Sequence, residues 1–128
     1  MNGYLLDSHV FLWAATAPDK LSRKARRICT EANRPLVASV VTFWELIAKC
    51  QSGKLHIPRP DATIAAWARE LNLKILPVNV THAVAVYSLP LLHGDPFDRM
   101  LLAQAKAEEL VFVTKDAEMS RYPVECVW

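Results

Sequence analysis

The segment LPLLHGDPFDRMLLAQA, residues 89–105, joins a proline-containing turn to the start of an apolar helical pattern. Asp95 precedes Pro96, an order that is typical of an N-cap residue followed by proline at the first helical position, where the missing N–H costs nothing. The apolar spacing predicts a helix over residues 95–110. We favour an N-cap role for Asp95.

A short β-branched run follows this helix and predicts a buried strand over residues 110–114. A helix that precedes a parallel strand begins at the carboxyl edge of the sheet, which is where wound α/β folds place their binding crevice. We therefore expect residues 90–94 to return the chain to that edge and Asp98 to lie there.

Similar apolar runs alternate with helical patterns along the rest of the chain. The runs that predict buried strands are residues 3–6, 36–41, 73–78, 110–114 and 124–127. Helical patterns lie between them, namely the apolar face of Leu21, Ala25, Ile28 and Ala32 and the stretches 43–50, 62–71 and 80–89. This alternation predicts an α/β fold in which helices flank a central, mainly parallel sheet of about five strands, in one domain over residues 1–128.

Four carboxylates stand where a predicted strand ends or a predicted helix begins, and they are Asp7, Glu45, Asp98 and Asp116. Because such positions meet at one edge of the sheet, we expect the four to gather there. Two like charges about 4 Å apart repel by roughly 4 kcal/mol at the dielectric of a protein surface, so the cluster needs a cation, a shifted proton or a basic neighbour. Oxygen ligands favour Mg²⁺ or Mn²⁺ over zinc, and the pattern predicts a metal site.

Three of these acids also have a local structural explanation. Thr42 and Glu45 fit a capping box, which explains Glu45 alone as well as catalysis does. Asp98 suits the first turn of a helix, where an anion is favourable, and Asp116 suits a cap for a short helix over residues 117–121.

Asp7 is the acid that local structure explains least well. It follows an apolar strand directly and precedes the apolar residues 10–15. A cap for the segment that begins at Ser8 is one explanation, but a buried charge needs a partner, and we favour a ligand role.

Composition points to a globular protein, with 52% apolar residues and a net charge of +2 that does not by itself mark a nucleic-acid binder. Cys29, Cys50 and Cys126 form no CxxC pair and are odd in number, so we expect reduced thiols in a cytoplasmic protein rather than a disulfide framework or a zinc knuckle. The apolar N-terminal stretch lacks the basic leading region of a signal peptide, and no run is long enough to span a membrane.

Basic side chains near the expected edge are candidates for contacts with phosphate, and they are Arg99, Lys115 and Lys49. A second basic group lies on one predicted helix and is explained at least as well by a solvated helix face; it comprises Lys20, Arg23, Lys24, Arg26 and Arg27.

The aromatic residues and the histidines near the acids are given structural roles. We expect core packing rather than base stacking for all four tryptophans, which are Trp13, Trp44, Trp67 and Trp128. We assign no catalytic role to His9 or His93. No Ser-His-Asp arrangement, P-loop or GxGxxG motif is present.

Four segments, taken in order, resemble the PIN-domain family and specifically VapC-type toxin ribonucleases. They are LLDSHVFLW, TFWELIAK with the following SGKLHIP, LPLLHGDPFDRMLLAQA, and VTKD with a terminal VW. The resemblance runs nearly end to end, and DPFDRMLLAQA is its most distinctive part. It implies a PIN-like three-layer fold and a Mg²⁺-dependent endoribonuclease of a type II toxin–antitoxin pair.

Carried over by position, the family's acidic quartet falls on Asp7, Glu45, Asp98 and Asp116. The resemblance implies that Asp7 and Asp98 are the principal Mg²⁺ ligands, that Mn²⁺ can substitute, and that the other two acids complete the site directly or through water. It also implies supporting positions at Thr114, which would orient its loop, and at Ser8, where similar proteins carry Ser or Thr.

The resemblance further implies an RNA substrate, a small VapB-like antitoxin in a groove near the acids, and a homodimer within a larger toxin–antitoxin assembly. A metal-activated water would leave products with a 5′-phosphate. Two other functions fit the same acids. One is a Mg²⁺-dependent phosphatase with an aspartate nucleophile, and the other is a catalytically silent module that binds RNA or a protein partner.

Overall fold

The computed structural model describes residues 3–31 and 33–128. Five strands form one sheet in the order β3-β2-β1-β4-β5, and neighbouring strands run parallel. The strands are β1 Tyr4–Leu6, β2 Leu36–Ser39, β3 Lys74–Leu76, β4 Val111–Val113 and β5 Cys126–Val127. The predicted α/β class is confirmed.

Helices cover both faces of this sheet. They are α1 Ser8–Thr16, α2 Arg23–Glu31, α3 Val40–Gln51, α4 Pro60–Glu70, α5 Val80–Ala85 and α6 Pro96–Ala107, with 3-10 turns at Pro18–Lys20, Val86–Ser88 and Met119–Arg121. Consecutive residues of β1 point to opposite faces, as the period of a strand requires. Leu5 packs in one core with α5 and α6, whereas Leu6 packs in the other with α1, α2 and α4. The result is a three-layer arrangement.

Several predicted boundaries differ from those of the structure, and in one case a cap ends the strand early. The predicted strand 36–41 stops at Ser39, whose Oγ accepts a hydrogen bond from the backbone N of Val41 at 3.0 Å and caps α3. The predicted helix 80–89 is α5 followed by a 3-10 turn, and the short helix 117–121 is the last 3-10 turn. Ala32, placed on a predicted helix face, lies outside the described residues.

The strand order creates a crevice beside β1. The chain runs from β1 to β2 and β3 on one side and later to β4 and β5 on the other. In such sheets the ligand site lies outside the carboxyl ends of the strands where the order reverses. Asp7 directly follows β1, α3 directly follows β2, and Thr114 directly follows β4, so their side chains converge from three strand ends.

Asp95 caps the helix that carries Asp98, as predicted. Its Oδ1 accepts hydrogen bonds from the backbone N of Phe97 at 2.9 Å and of Asp98 at 3.1 Å. Among the described residues, no helix has the length and apolar character that crossing a membrane requires.

Candidate functional site

Asp7 is buried and anchored at the end of β1. Its Oδ1 accepts a hydrogen bond from the backbone N of Ser8 at 2.7 Å, so it does cap α1, and its Oδ2 accepts one from Thr114 Oγ1 at 2.8 Å. Burial raises the pKa of this carboxyl, while the Thr114 and Ser8 hydrogen bonds act in the opposite direction and the nearby charge of Glu45 raises it further. The cap therefore accompanies a buried acid whose ionised form is disfavoured.

Glu45 is buried on α3 with both carboxylate oxygens paired. Ser8 Oγ donates to Oε1 at 2.7 Å, and Lys49 Nζ lies 2.9 Å from Oε2. Because α3 begins at Val40 with Ser39 as its N-cap, Glu45 lies inside the helix and not at a capping-box position. The capping explanation for Glu45 is thus wrong.

Asp98 is partly open, with 18% of its side chain exposed. Its Oδ2 lies 3.2 Å from His93 Nε2. Burial and the charge of Asp95 raise the pKa of Asp98 to about 7, the charges of Asp7 and Glu45 add to this, and the His93 hydrogen bond opposes it. The charges of Asp7 and Glu45 thus act on Asp98, as expected for one shared site.

A short relay of hydrogen bonds orients His93 toward Asp98. Arg99 Nη1 donates to the Tyr122 hydroxyl at 3.3 Å, and that hydroxyl lies 2.6 Å from His93 Nδ1. The backbone N of His93 also donates to this hydroxyl, at 3.2 Å, so both of its acceptor sites are filled. The hydroxyl then donates to Nδ1, which leaves Nε2 as the N–H directed at the carboxylate. Asp98 is therefore held in place by a side chain of the turn before α6.

Asp116 adjoins the cluster through Thr114. Its backbone N donates to Thr114 Oγ1 at 3.0 Å, and its exposed carboxylate accepts from the backbone N of Glu118 at 2.9 Å. The predicted cap on the short helix is wrong, because the last 3-10 turn has Glu118 as its N-cap without a side-chain hydrogen bond, and Asp116 closes the turn before it. The same threonine bonds Asp7, so the Asp116 loop is tied to the buried acid.

The model of the PIN domain family matches residues 4–125 of this sequence. The chain belongs to the PIN domain family. The resemblance read from its motifs is confirmed, and the acids described above occupy the carboxyl edge of a PIN fold.

Known relatives of this PIN domain include Ribonuclease VapC22 of Mycobacterium tuberculosis, which is 30% identical over 122 residues that cover 93% of this chain and 91% of that protein. The fold of the present chain is similar to that in the structure of VapBC2 from Rickettsia felis bound to a promoter DNA fragment, with a TM-score of 0.73, 16% identity and 98% of each chain covered. DNA-bound VapBC from Salmonella typhimurium is similar too, with a TM-score of 0.72, 19% identity and 99% and 98% of the two chains covered.

Arg99 does not lie where a phosphate contact would need it. It is buried, and its guanidinium donates to the backbone carbonyls of Pro90 at 2.8 Å and Val86 at 3.4 Å as well as to Tyr122. Its geometry instead indicates that it fixes the turn before α6. This placement argues against the phosphate contact predicted for Arg99.

Of the other two basic candidates, Lys49 contacts an acid of the site and Lys115 contacts an aromatic ring of α1. Lys49 pairs with Glu45 as described, and Lys115 places its Nζ 5.6 Å from the centre of the Trp13 ring.

The prediction of core packing was wrong for Trp44, which is 64% exposed and meets Phe97 edge-on at 4.9 Å. Because α3 is apolar almost all round, its sequence does not indicate which side is exposed to solvent.

The donor set suits a hard divalent cation. Asp7, Glu45 and Asp98 offer only oxygens, and burial raises the pKa of Asp7 and of Asp98, so a bound cation would favour their ionised forms. Basic side chains currently face two of these acids, Lys49 at Glu45 and His93 at Asp98. Over residues 3–31 and 33–128, no three His, Cys, Asp or Glu side chains are already close enough to hold a metal ion. Binding of the cation would therefore require the acidic side chains to move closer together.

Sequence reasoning missed the support that His93 and Tyr122 give to Asp98. His93 stands next to Gly94 in the turn five residues before Asp98, a position that offered a weak signal. Tyr122 offered none, because its contact depends on how the segment after β4 folds back over α6.

Proposed function

We propose that this PIN domain is a metal-dependent endoribonuclease and the toxin of a VapBC-type pair. The observation that carries the proposal is the shared site of Asp7, Glu45 and Asp98, in which two acids are buried and the pKa of the third is raised to about 7 in part by their charges. The relative named a ribonuclease supports the same activity. Asp116 completes the proposed catalytic quartet.

Mg²⁺, which Mn²⁺ can replace, would be held by Asp7 and Asp98 as principal ligands, with Glu45 and Asp116 contributing directly or through water. When bound, such a cation lowers the pKa of water and neutralises charge on a phosphate. The quartet's oxygen-only chemistry supports this choice of ion over zinc.

The protein's own side chains would hold the acids in the geometry that hydrolysis needs. Ser8 and Thr114 fix one oxygen each of Glu45 and Asp7, and His93 fixes Asp98. Such supporting hydrogen bonds commonly contribute about 10- to 100-fold to metal affinity or activity. Lys49, which pairs with Glu45, and Lys115, which lies between Thr114 and Asp116 in the chain, would meet phosphates of the substrate.

RNA selection in this mechanism rests on substrate shape and groove contacts. Attack by water needs no 2′-hydroxyl, so the products carry a 5′-phosphate and a 3′-hydroxyl. The test is cleavage of structured RNAs by the purified chain with Mg²⁺ or Mn²⁺ against EDTA, followed by sequencing of the product ends. We expect discrete, metal-dependent cuts.

Other results of that experiment would contradict the proposal in distinct ways. Ends with a 2′,3′-cyclic phosphate would refute the water mechanism. A trapped aspartyl-phosphate without RNA cleavage would indicate the phosphatase, and RNA binding without turnover over diverse substrates would indicate the silent module.

An antitoxin partner forms part of the same proposal. Solved structures with this fold include VapBC complexes, two of them bound to DNA, which supports a small VapB-like protein as the partner. We place this partner in a groove near the acids. A stoichiometric amount of the cognate protein should stop cleavage. A cytoplasmic location, where three unpaired cysteines stay reduced, completes this reading.

A homodimer is proposed through the face that α3 and α5 form with α6. Large apolar side chains are exposed there, namely Val40, Trp44, Val80, Val84, Tyr87 and Leu91. A lone domain rarely exposes so many, and exposed apolar surface of this kind marks protein interfaces. Both α3 and α5 pack on α6, which carries Asp98, so the dimer would bring two acid sites near each other.

We expect Tyr87→Lys to convert the dimer to a monomer, because Tyr87 is 96% exposed in the single chain and a buried lysine at the interface would be unpaired. Sedimentation velocity measures the change. Ala65→Lys, an exposed position on α4 across the sheet, is the control and should leave the dimer intact. A wild-type chain that sediments as a monomer would refute this assembly.

A further inference from the structure

Aromatic and basic side chains form a strip along α1, and the proposed function gives a role to only one of them, Lys115. His9 and Trp13 lie one helical turn apart with ring centres at 5.8 Å, and Trp128 meets Trp13 at 6.2 Å. Lys115 lies over the Trp13 ring. We call these four residues the α1 strip. His9 and Lys115 are exposed, whereas both tryptophans are half-buried.

The α1 strip borders the acids at its His9 end. His9 shares a cavity wall with Ser8 and Lys49, the two residues whose side chains contact Glu45. A polymer that places a phosphate at the acids therefore has the strip within reach of its neighbouring nucleotide.

A cavity of about 230 Å³ continues the strip on the side of α3. His9 forms part of its wall together with Lys49 and Lys54, and leucine side chains supply much of the rest. Lys49 is engaged by Glu45, whereas Lys54 is exposed in the turn that follows α3. The cavity thus combines a ring edge, apolar walls and positive charge.

Single-stranded nucleic acid is recognised by this pairing of features, in which cationic groups follow the backbone and aromatic rings stack on bases. We propose that the α1 strip and the adjoining cavity bind single-stranded RNA next to the scissile bond, with a base on His9 and phosphates at Lys54 and Lys115. This inference rests on the proposed ribonuclease function and adds the surface that positions its substrate. The positive charge of the surface favours a polyanion over a peptide.

The test is equilibrium binding of a fluorescein-labelled single-stranded RNA, measured by anisotropy in EDTA so that no cleavage occurs. We expect His9→Ala to weaken binding roughly fivefold or more and His9→Tyr to retain it, since tyrosine keeps a stacking face. Lys54→Gln and Lys115→Gln should each reduce the slope of log affinity against log salt by about 0.7, the value for one lost phosphate contact with a single strand. Lys74→Gln, exposed on the edge strand β3, should change neither quantity.

Because each altered side chain is exposed, circular dichroism melting should show that these variants fold. Unchanged affinity in His9→Ala with unchanged salt slopes in both lysine variants would overturn the inference. Equal losses in His9→Tyr and His9→Ala would overturn the stacking role. Variants that bind RNA normally but no longer capture the antitoxin would assign the strip to a protein partner instead. RNA binding at the strip without any cleavage would refute the proposed ribonuclease alone.

Discussion

Asp98→Asn is expected to lower metal-dependent RNA cleavage by about 10³-fold while leaving the protein folded. The amide keeps the size of the side chain and can still accept a hydrogen bond from His93, but it removes the negative charge that faces the cluster. Asp98 is the most open of the three acids in the shared site, so a ligand role there is not replaced by a neighbour. Single-turnover cleavage with Mg²⁺, using an RNA that the wild type cuts, measures the loss.

Asp95→Asn is the matched control for this change. It makes the same substitution three residues earlier, and asparagine caps a helix as well as aspartate does, so α6 should be unaffected. We expect cleavage within a few-fold of the wild type. Full activity in Asp98→Asn would show that the site has been misassigned, and equal cutting by every preparation would reveal a contaminating nuclease.

The fold was predictable where local signals agreed with each other. The predictions of a helix that starts at Asp95 and Pro96 and of a strand at the following β-branched run are both correct. For the helix, a cap, a proline at the first helical position and an apolar period all indicate the same element. The convergence of Asp7, Glu45 and Asp98 followed from the parallel topology, since the ends of neighbouring strands must meet at one edge.

Side-chain direction was less predictable, as Arg99 and Trp44 show. Arg99 follows Asp98 directly, but its position on α6 directs it toward the turn at Pro90, where it is buried among backbone carbonyls. Trp44 precedes Glu45, yet it projects outward because α3 buries a different side. Adjacent residues on a helix point about 100° apart, so closeness in sequence to a site residue does not place a side chain in the site.

The support for Asp98 depends on distant parts of the chain. His93 and Tyr122 are 29 residues apart and meet only after the segment that follows β4 has packed on α6. No local pattern encodes that contact. The sequence therefore specified which acids form the candidate site but not which neutral and basic groups hold them.

Asp98 should also make the metal-free protein less stable as pH rises. Its pKa is raised in the fold from 3.8 to about 7, so between these values the folded chain binds more protons than the unfolded chain. Stability is then lost as pH increases through this window, and the whole penalty is present above about pH 7. At about pH 8 we expect the free energy of unfolding of Asp98→Asn to exceed that of the wild type by about 2 kcal/mol. This is less than the full pKa shift implies, because water reaches part of the carboxyl.

Urea unfolding in EDTA at several pH values between about 4 and 8 measures this difference. The difference in unfolding free energy between variant and wild type should be smallest at about pH 4, where Asp98 is neutral in the folded wild type and only partly ionised in the unfolded chain, and should widen toward pH 8. Added Mg²⁺ should then stabilise the wild type by mass action and leave the variant nearly unchanged, because a cation bound only by the folded state replaces the missing positive charge. A gap that narrows with rising pH would show that ionised Asp98 stabilises the fold, as a purely structural cap would.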